Sequence, residues 1–303
     1  MKKASEINLM LFILEGKMVV REFKLVNEKG QEYSLMKWDN YCFLSDPSGL
    51  GYGYTTDYQQ LGNTFVTNLR SFTQGKITGT VNFKSYDNYK ALVDFIEASD
   101  NLRFSYKIPY KNGITKEYFK DIQIADISKT QIQPNGILSE AITFDCLSLW
   151  YEENTVNYTV VPSDDEIRWD FRWDSRFSDY DSRRLQYINE GHVEAPIHVE
   201  MDGPLVNPKI VLTIDGEKYQ TVEVTTEIQQ YEKFIYDSRE NQFTIEKKKA
   251  DGTRESLFSL DCLDIANNNT VRLPKNRSCE ISLTADNEVL TAKLIIYPRY
   301  KAV

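Results

Sequence analysis

The sequence predicts a mainly β protein of two domains: an N-terminal β domain with one α-helix packed on a sheet and a long hairpin, then a C-terminal sandwich or jelly roll of short strands. Three observations carry this prediction. Turn pairs recur at Asn112-Gly113, Asn135-Gly136, Asp215-Gly216 and Asp251-Gly252, and such pairs favour tight hairpins in which both turn positions take positive φ. Apolar and polar residues alternate along much of the chain, as at Val222-Glu223-Val224, and again where Cys279, Ile281 and Leu283 are set among Glu280, Ser282 and Thr284. A single stretch, Tyr86 to Ser99, has the helical period instead, with Tyr89, Leu92, Val93 and Ile96 at i, i+3, i+4 and i+7.

The first 17 residues read as a leader or N-terminal extension. Lys2 and Lys3 precede an apolar patch, but Asn8 interrupts it, Glu6 and Glu15 flank it, and no small-residue cleavage site follows, so a secretion signal is not expected. Ser5 can cap a short helix that Gly16 ends. Met18 opens the first domain, expected over residues 18–161, where Phe23-Lys-Leu25 and Tyr33-Ser-Leu35 flank a turn ending in Gly30. Gly49-Leu-Gly51-Tyr-Gly53 lacks the spacing of a phosphate cradle. It is expected to be a loop needing positive φ or close subunit approach, which makes Ser48, Gly49, Leu50, Gly51 and Tyr52 the candidate oligomer interface. Ser85 is placed to cap the helix, with Asp87 favourable for its dipole, and a long hairpin through Asn112-Gly113 follows.

The joint between domains is expected in Trp150 to Pro162, after the apolar strand Ile142 to Leu149, and the second domain over 162–303. The most unusual string of the chain opens it. In Ile167 to Phe177, a strand would put Ile167, Trp169, Phe171 and Trp173 on one face and Arg168, Asp170, Arg172 and Asp174 on the other. A helix would instead stack Trp169, Trp173 and Phe177; the strand is preferred because it keeps the large apolar groups together. The aromatics can bury against a neighbouring sheet. Alternatively, Trp169, Arg172 and Trp173 form an exposed surface for a partner or a sugar ring, since Trp and Arg are common anchors.

Charge follows the same division. Of the 303 residues, 1–150 hold 17 basic and 17 acidic side chains, 152–202 hold 5 and 13, and 203–303 hold 14 and 15, so the net −9 lies almost wholly in the middle stretch. A nucleic-acid binder needs a basic face to neutralise phosphates, and none is in view. The longest apolar run, Leu9 to Leu14 with Met10 in it, falls far short of the ~20 residues of a membrane helix. Cys42, Cys146, Cys262 and Cys279 form no C-x-x-C pair and are expected as free thiols in apolar settings. His192 and His198 lack a clustered third ligand; His198, out of phase with Ile197, Val199 and Met201, is expected to point to solvent. No G-x-S-x-G, Walker A or H-E-x-x-H string occurs. Asp164, Asp165, Glu166, Asp170, Asp174, Asp179 and Asp181 could supply a glycosidase pair, but solvated loops are commonly acidic, and no enzyme and no cofactor is expected.

Taken together, Asp46-Pro-Ser-Gly-Leu-Gly51, the lone helix from Tyr86 to Ile96, Phe144-Asp-Cys-Leu-Ser-Leu-Trp-Tyr-Glu152, and Asn189-Glu-Gly191, Ala195-Pro196 and Gly203-Pro-Leu-Val-Asn-Pro208 make the chain resemble the distal tail protein (Dit) family of long non-contractile-tailed phages. The resemblance implies an N-terminal β-sandwich with one α-helix that builds a homo-hexameric or double ring, and a C-terminal galectin-like jelly-roll β-sandwich. It further implies a location at the virion tail tip after synthesis in the bacterial cytoplasm. The implied partners are the tail tube protein, a tail-associated lysin or tail-tip protein, and a receptor-binding protein. A ring needs two different patches on each subunit, and a charge-balanced half is the easier one to pack against copies of itself.

Overall fold

A computed structural model describes residues 21–37, 41–110, 113–160, 184–264, 268–286 and 290–303. Two compact units result: one runs up to Tyr151 and takes back Lys301–Val303, the other spans Glu152–Tyr300. The division precedes residue 161 because Asn154–Val160 pairs along its whole length with Leu290–Ile296 of the second unit.

The first unit contains β1 (Glu22–Asn27), β2 (Glu32–Ser34), β3 (Met36–Lys37), β4 (Cys42–Ser48), β5 (Tyr54–Leu61), β6 (Thr64–Phe72) and β7 (Lys76–Phe83), then α1 (Tyr86–Glu97), then β8 (Leu102–Pro109), β9 (Thr115–Ile127), β10 (Leu138–Cys146) and β11 (Trp150–Tyr151). Its main sheet is antiparallel in the order β2-β1-β8-β9-β10-β7-β4-β3. The ends of that order meet at Leu35, whose N–H donates to Phe23 O in β1 and whose carbonyl accepts from Leu44 N in β4, at 2.9 and 2.7 Å. The sheet thus curls around a core of Phe23, Leu25, Leu35, Leu44, Ile77, Val81, Phe83, Phe104, Phe144 and Trp150, all fully buried. Closure of this kind removes exposed edges that would otherwise template aggregation.

The helix forms where its period predicts. Ser85 has extended backbone, and its Oγ accepts from Asn88 N at 3.3 Å, satisfying one of the free N–H groups of the first turn. Leu92 is fully buried, and Tyr89 meets Phe83 of β7 edge-on at 5.6 Å. The expected long hairpin is β8–β9, paired from Leu102–Ile122 to Pro109–Thr115.

Turn chemistry differs from the expectation at two of the three pairs that lie wholly within the described residues. Only Asp215-Gly216 has positive φ at both positions, 54° and 84°. At Gln133–Ile137 and Lys249–Thr253 the glycine alone is left-handed, and Asn27–Gln31 and Tyr110–Ile114 share the same two hydrogen bonds: Gly N to the residue three before it, and that residue's N to the residue after the glycine. This is the three-residue loop of a type I turn plus a glycine bulge, which needs positive φ once. Asn112 lies outside the described residues.

The second unit contains β12 (Asn154–Val160), β13 (Arg184–Ile188), β14 (Ala195–Asp202), β15 (Leu205–Val206), β16 (Lys209–Ile214), β17 (Glu217–Glu223), β18 (Glu227–Ile228), β19 (Lys233–Asp237), β20 (Thr244–Lys248), β21 (Arg254–Ser256), β22 (Arg272–Leu273), β23 (Ser278–Thr284), β24 (Leu290–Ile296) and β25 (Arg299–Tyr300). One sheet runs β12-β24-β14-β19-β20-β21, with β22 on β14, and a second runs β13-β23-β16-β17. Period-2 burial lets the two share one core: Ile197, Val199, Met201, Phe234 and Leu294 from the first, and Ile210, Leu212, Ile281 and Leu283 from the second. The sandwich expectation is met.

Candidate functional site

The feature that stands apart in the first unit is a projecting hairpin. β5 and β6 pair only with each other, from Tyr54–Phe72 to Leu61–Thr64, and form their own two-stranded sheet. The tip is Gly62-Asn63, with φ +62° at the glycine, which suits the first position of a type II′ turn. Tyr58, Leu61, Val66, Phe65 and Leu69 are exposed along it, the last two at 68% and 63%. A lone two-stranded hairpin is marginally stable in water, and scattered large apolar groups on one arm are an uncommon surface for an isolated subunit.

Its root is built firmly. β4 carries a bulge between its pairings Ser45–Thr80 and Ser48–Thr78, and Asp46 sits at φ 51°. At Gly49 φ is +81°, and a Cβ there would lie 1.8 Å from Lys76 O, so glycine is required both by conformation and by space. The positive φ expected of this loop is met at Gly49, which also lies close against the chain's own β7. Trp150 Nε1 donates to Leu50 O at 2.9 Å, and Thr73 N to Gly53 O at 3.1 Å. Ser48, Gly49, Gly51 and Tyr52 are exposed and Leu50 half-buried, so the candidate interface residues form the base of the arm.

Tyr54 ties base and arm together. Its ring meets Tyr52 and Phe72 edge-on at 5.7 and 6.0 Å, the Arg70 guanidinium lies 3.9 Å from its centroid, and Lys301 Nζ donates to its hydroxyl at 2.6 Å. The Lys301 hydrogen bond pulls the phenol below its usual range.

The described ionisable groups at the centre of the second unit pair with one another. His198 does not simply face solvent: its Nδ1 is 3.1 Å from Asp237 Oδ2 and its Nε2 3.3 Å from Glu200 Oε1, in a half-buried polar column of β14 and β19. Asp237 is buried, and Arg239 Nε and Nη2 also reach it, at 3.1 and 2.6 Å. Burial raises this carboxyl, but hydrogen bonds from His198 and Arg239 outweigh it and hold it below the ordinary value. Among the described residues no group of three or more His, Cys, Asp or Glu could hold a metal, and no helix is long and apolar enough to cross a membrane. All four cysteines are free thiols. Trp169, Arg172 and Trp173, and the acidic residues from Asp164 to Asp181, lie outside the described residues.

The Tyr54–Phe72 hairpin itself escapes the sequence reading. Its signal is the Gly62-Asn63 pair between strand-forming runs, which has no alternation around it because neither face is buried.

Fold and site define a two-unit β protein whose distinguishing surface is an exposed two-stranded arm. Comparisons with known proteins make this specific. Residues 22–147 match the family model described as the distal tail protein, N-terminal domain. Two curated relatives are the distal tail proteins of Lactococcus phages SK1 and p2. The first is 30% identical over 149 residues and the second 31% over 151, each match covering 47% of this chain and 49% of the relative. The chain thus spans about half the length of the curated relatives it matches. Over 94% of this chain, the fold superposes on the whole of a chain from the phage P2 baseplate in its activated conformation with Ca, with a TM-score of 0.67 at 19% identity. The crystal structure of SPP1 Dit, described as a paradigm of the hub adsorption apparatus in phages infecting Gram-positive bacteria, matches 91% of this chain at a TM-score of 0.53 and 9% identity. The resemblance to the distal tail protein family is borne out.

Proposed function

We propose that this chain is a structural hub of a phage tail tip or baseplate, assembling through its first unit into a hexameric or double-hexameric ring. In this reading the ring joins the tail tube protein to a tail-tip or tail-associated lysin component and to receptor-binding proteins. The second unit is read as a galectin-like jelly roll. The family match over residues 22–147 and the relatives' printed names support the location and the structural, non-catalytic role.

The observation that carries the reading is the β5–β6 arm. It offers exposed Tyr58, Leu61, Phe65, Val66 and Leu69 with one acid and one base, Asp57 and Arg70, so a second copy meets apolar area with no net charge. Burying these groups removes on the order of several hundred Å² per copy, comparable with the ~800 Å² per partner of a standard interface once the root at Ser48–Tyr52 is included. Giving an arm on one side and receiving one on the other is a head-to-tail contact, which closes into a ring.

Mass photometry of the purified chain tests this. Hexamers or double hexamers are expected, falling to smaller species in a Phe65→Ser, Leu69→Ser double variant that keeps its circular dichroism. A strict monomer at micromolar concentration overturns the ring.

A further inference from the structure

Lys120 is a buried cation with no carboxylate. It lies on β9 opposite Phe104 and is 3% exposed, and among the described residues no Asp or Glu pairs with it. Its ammonium instead sits 4.7 Å above the ring of the fully buried Trp150, and the thiol of Cys146 is the electrostatic neighbour that acts on it. Cys146, itself buried, is the last residue of β10 and faces Ile122, two residues along β9 from Lys120. The two side chains therefore leave one face of the sheet as diagonal cross-strand neighbours, within reach of a long side chain. Gly75 contributes to the closeness: a Cβ there would touch Cys146 Sγ at 3.6 Å.

An unpaired lysine in an aromatic core is costly, and such amines lose their proton readily. Burial holds Lys120 below the usual lysine range against the pull of the thiol, and pushes the Cys146 thiol up. The site thus brings together, among buried side chains, an amine that gives up its proton more readily than usual and a thiol that keeps its own. Beside each other, the two meet buried groups, the ring of Trp150 over Lys120 among them.

We propose that Lys120 and Cys146 are a covalent modification site, joined by dioxygen through a single bridging oxygen as an Nζ–O–Sγ link. Dioxygen takes four electrons, two from sulfur and two from nitrogen. Its O–O bond breaks, one oxygen forms the new N–O and O–S bonds, and the other leaves as water with one hydrogen from the amine and one from the thiol. The link fastens β9 to the end of β10 directly beneath Trp150, and so beneath the root of the arm. It forms on exposure to air and is undone by a thiol reductant.

Intact-mass measurement of the chain kept anaerobic, and of the same chain after exposure to air, decides the matter. The air-exposed chain is expected to show a species heavier by about 14 Da that dithiothreitol removes, the net gain of one oxygen and loss of two hydrogens. Peptide mapping then joins the Lys120 and Cys146 peptides, with no tryptic cut after Lys120. Lys120→Arg and Cys146→Ser each abolish the species; should either fail to fold, the air and reductant arms on the unaltered chain still decide. No mass change, or oxygen added on Cys146 alone with the Lys120 peptide free, overturns the proposal.

Discussion

The indole Nε1 of Trp150 donates to the carbonyl of Leu50 at 2.9 Å, across 100 positions of sequence. Trp150 is fully buried and packs its ring against Phe104 and Tyr106, at 6.2 and 5.9 Å between centroids. Leu50 belongs to a loop whose neighbours are exposed. One hydrogen bond therefore references a surface loop to the most rigid part of the core, and through that loop the base of the β5–β6 arm.

Trp150→Phe keeps an aromatic ring in the core but removes this donor. The unsatisfied Leu50 carbonyl can reach water, so the lost bond costs about 1 kcal/mol, and the smaller ring adds about 1–2 kcal/mol. Chemical denaturation should show that modest loss. If the arm makes the ring contact, oligomer dissociation moves further than the subunit's own stability, because the arm's base is no longer fixed. Equal shifts in both measurements would mean that the bond serves the core alone.

Three glycines form a matched set. Gly49→Ala meets both a positive φ and the Lys76 carbonyl at 1.8 Å, so β4 and β7 must part, at a cost of roughly 3 kcal/mol or more. Gly30→Ala has positive φ but open space, and strain alone costs about 1 kcal/mol. Gly51→Ala has neither and stays within about 0.5 kcal/mol of the parent. Calorimetry should rank the three in that order, and a Gly49→Ala melting point near that of Gly51→Ala would show that the loop relaxes freely.

Helix and core strands were legible because burial writes its period into them. Leu92 with Tyr89, Val93 and Ile96, and Ile281 with Leu283, lie on buried stripes that cannot be polar. The arm was illegible for the same reason in reverse: Thr64 to Phe72 is exposed at every position, so no face constrains the sequence. Glycine positions in the turns were readable, yet turn type was not, since a single positive φ suffices at Gly136 and Gly252 and the residue before each is ordinary. His198 was placed on the correct face of β14. Its partner Asp237 comes from β19, and cross-strand pairing is invisible without the register. The same holds for Trp150 and Leu50: the core role of the tryptophan was foreseeable, but its reach to the loop depends on the closed sheet.

Acid should weaken the second unit through carboxylates held by arginine. Hydrogen bonds from Arg299, at 2.5 and 2.7 Å, hold the Glu240 carboxyl at about 2 against its burial, below an ordinary 4.5, with Arg272 adding at 3.0 Å. A folded value below the unfolded one means that the stabilisation is full above about 4.5 and is lost as pH falls toward about 2. Glu240 is 47% exposed, so solvent screens the contribution to below about 1 kcal/mol. Glu240→Gln should therefore be the weaker protein at pH 6 and close to the parent near pH 2.5 by denaturant unfolding. A gap that is constant over that range would show that the charge is not what Arg299 reads.

Lys301 returns to the first unit and donates to the Tyr54 hydroxyl at 2.6 Å, while Arg70 covers the ring at 3.9 Å. Both cations lower the phenol, Lys301 the more. In an NMR titration with labelled tyrosine ring carbons, one resonance should ionise below the exposed tyrosines, and Lys301→Met should return it toward the ordinary range while Arg70→Gln moves it less. Lys301→Met leaves the core untouched, so its melting point stays near the parent. If the proposed ring uses the arm, releasing its base weakens assembly roughly three- to fivefold, the scale of one exposed cation–aromatic contact, and high salt narrows the difference by screening. An unshifted Tyr54 resonance would remove the clamp, whereas a restored resonance with unchanged assembly would keep the clamp and detach it from the ring.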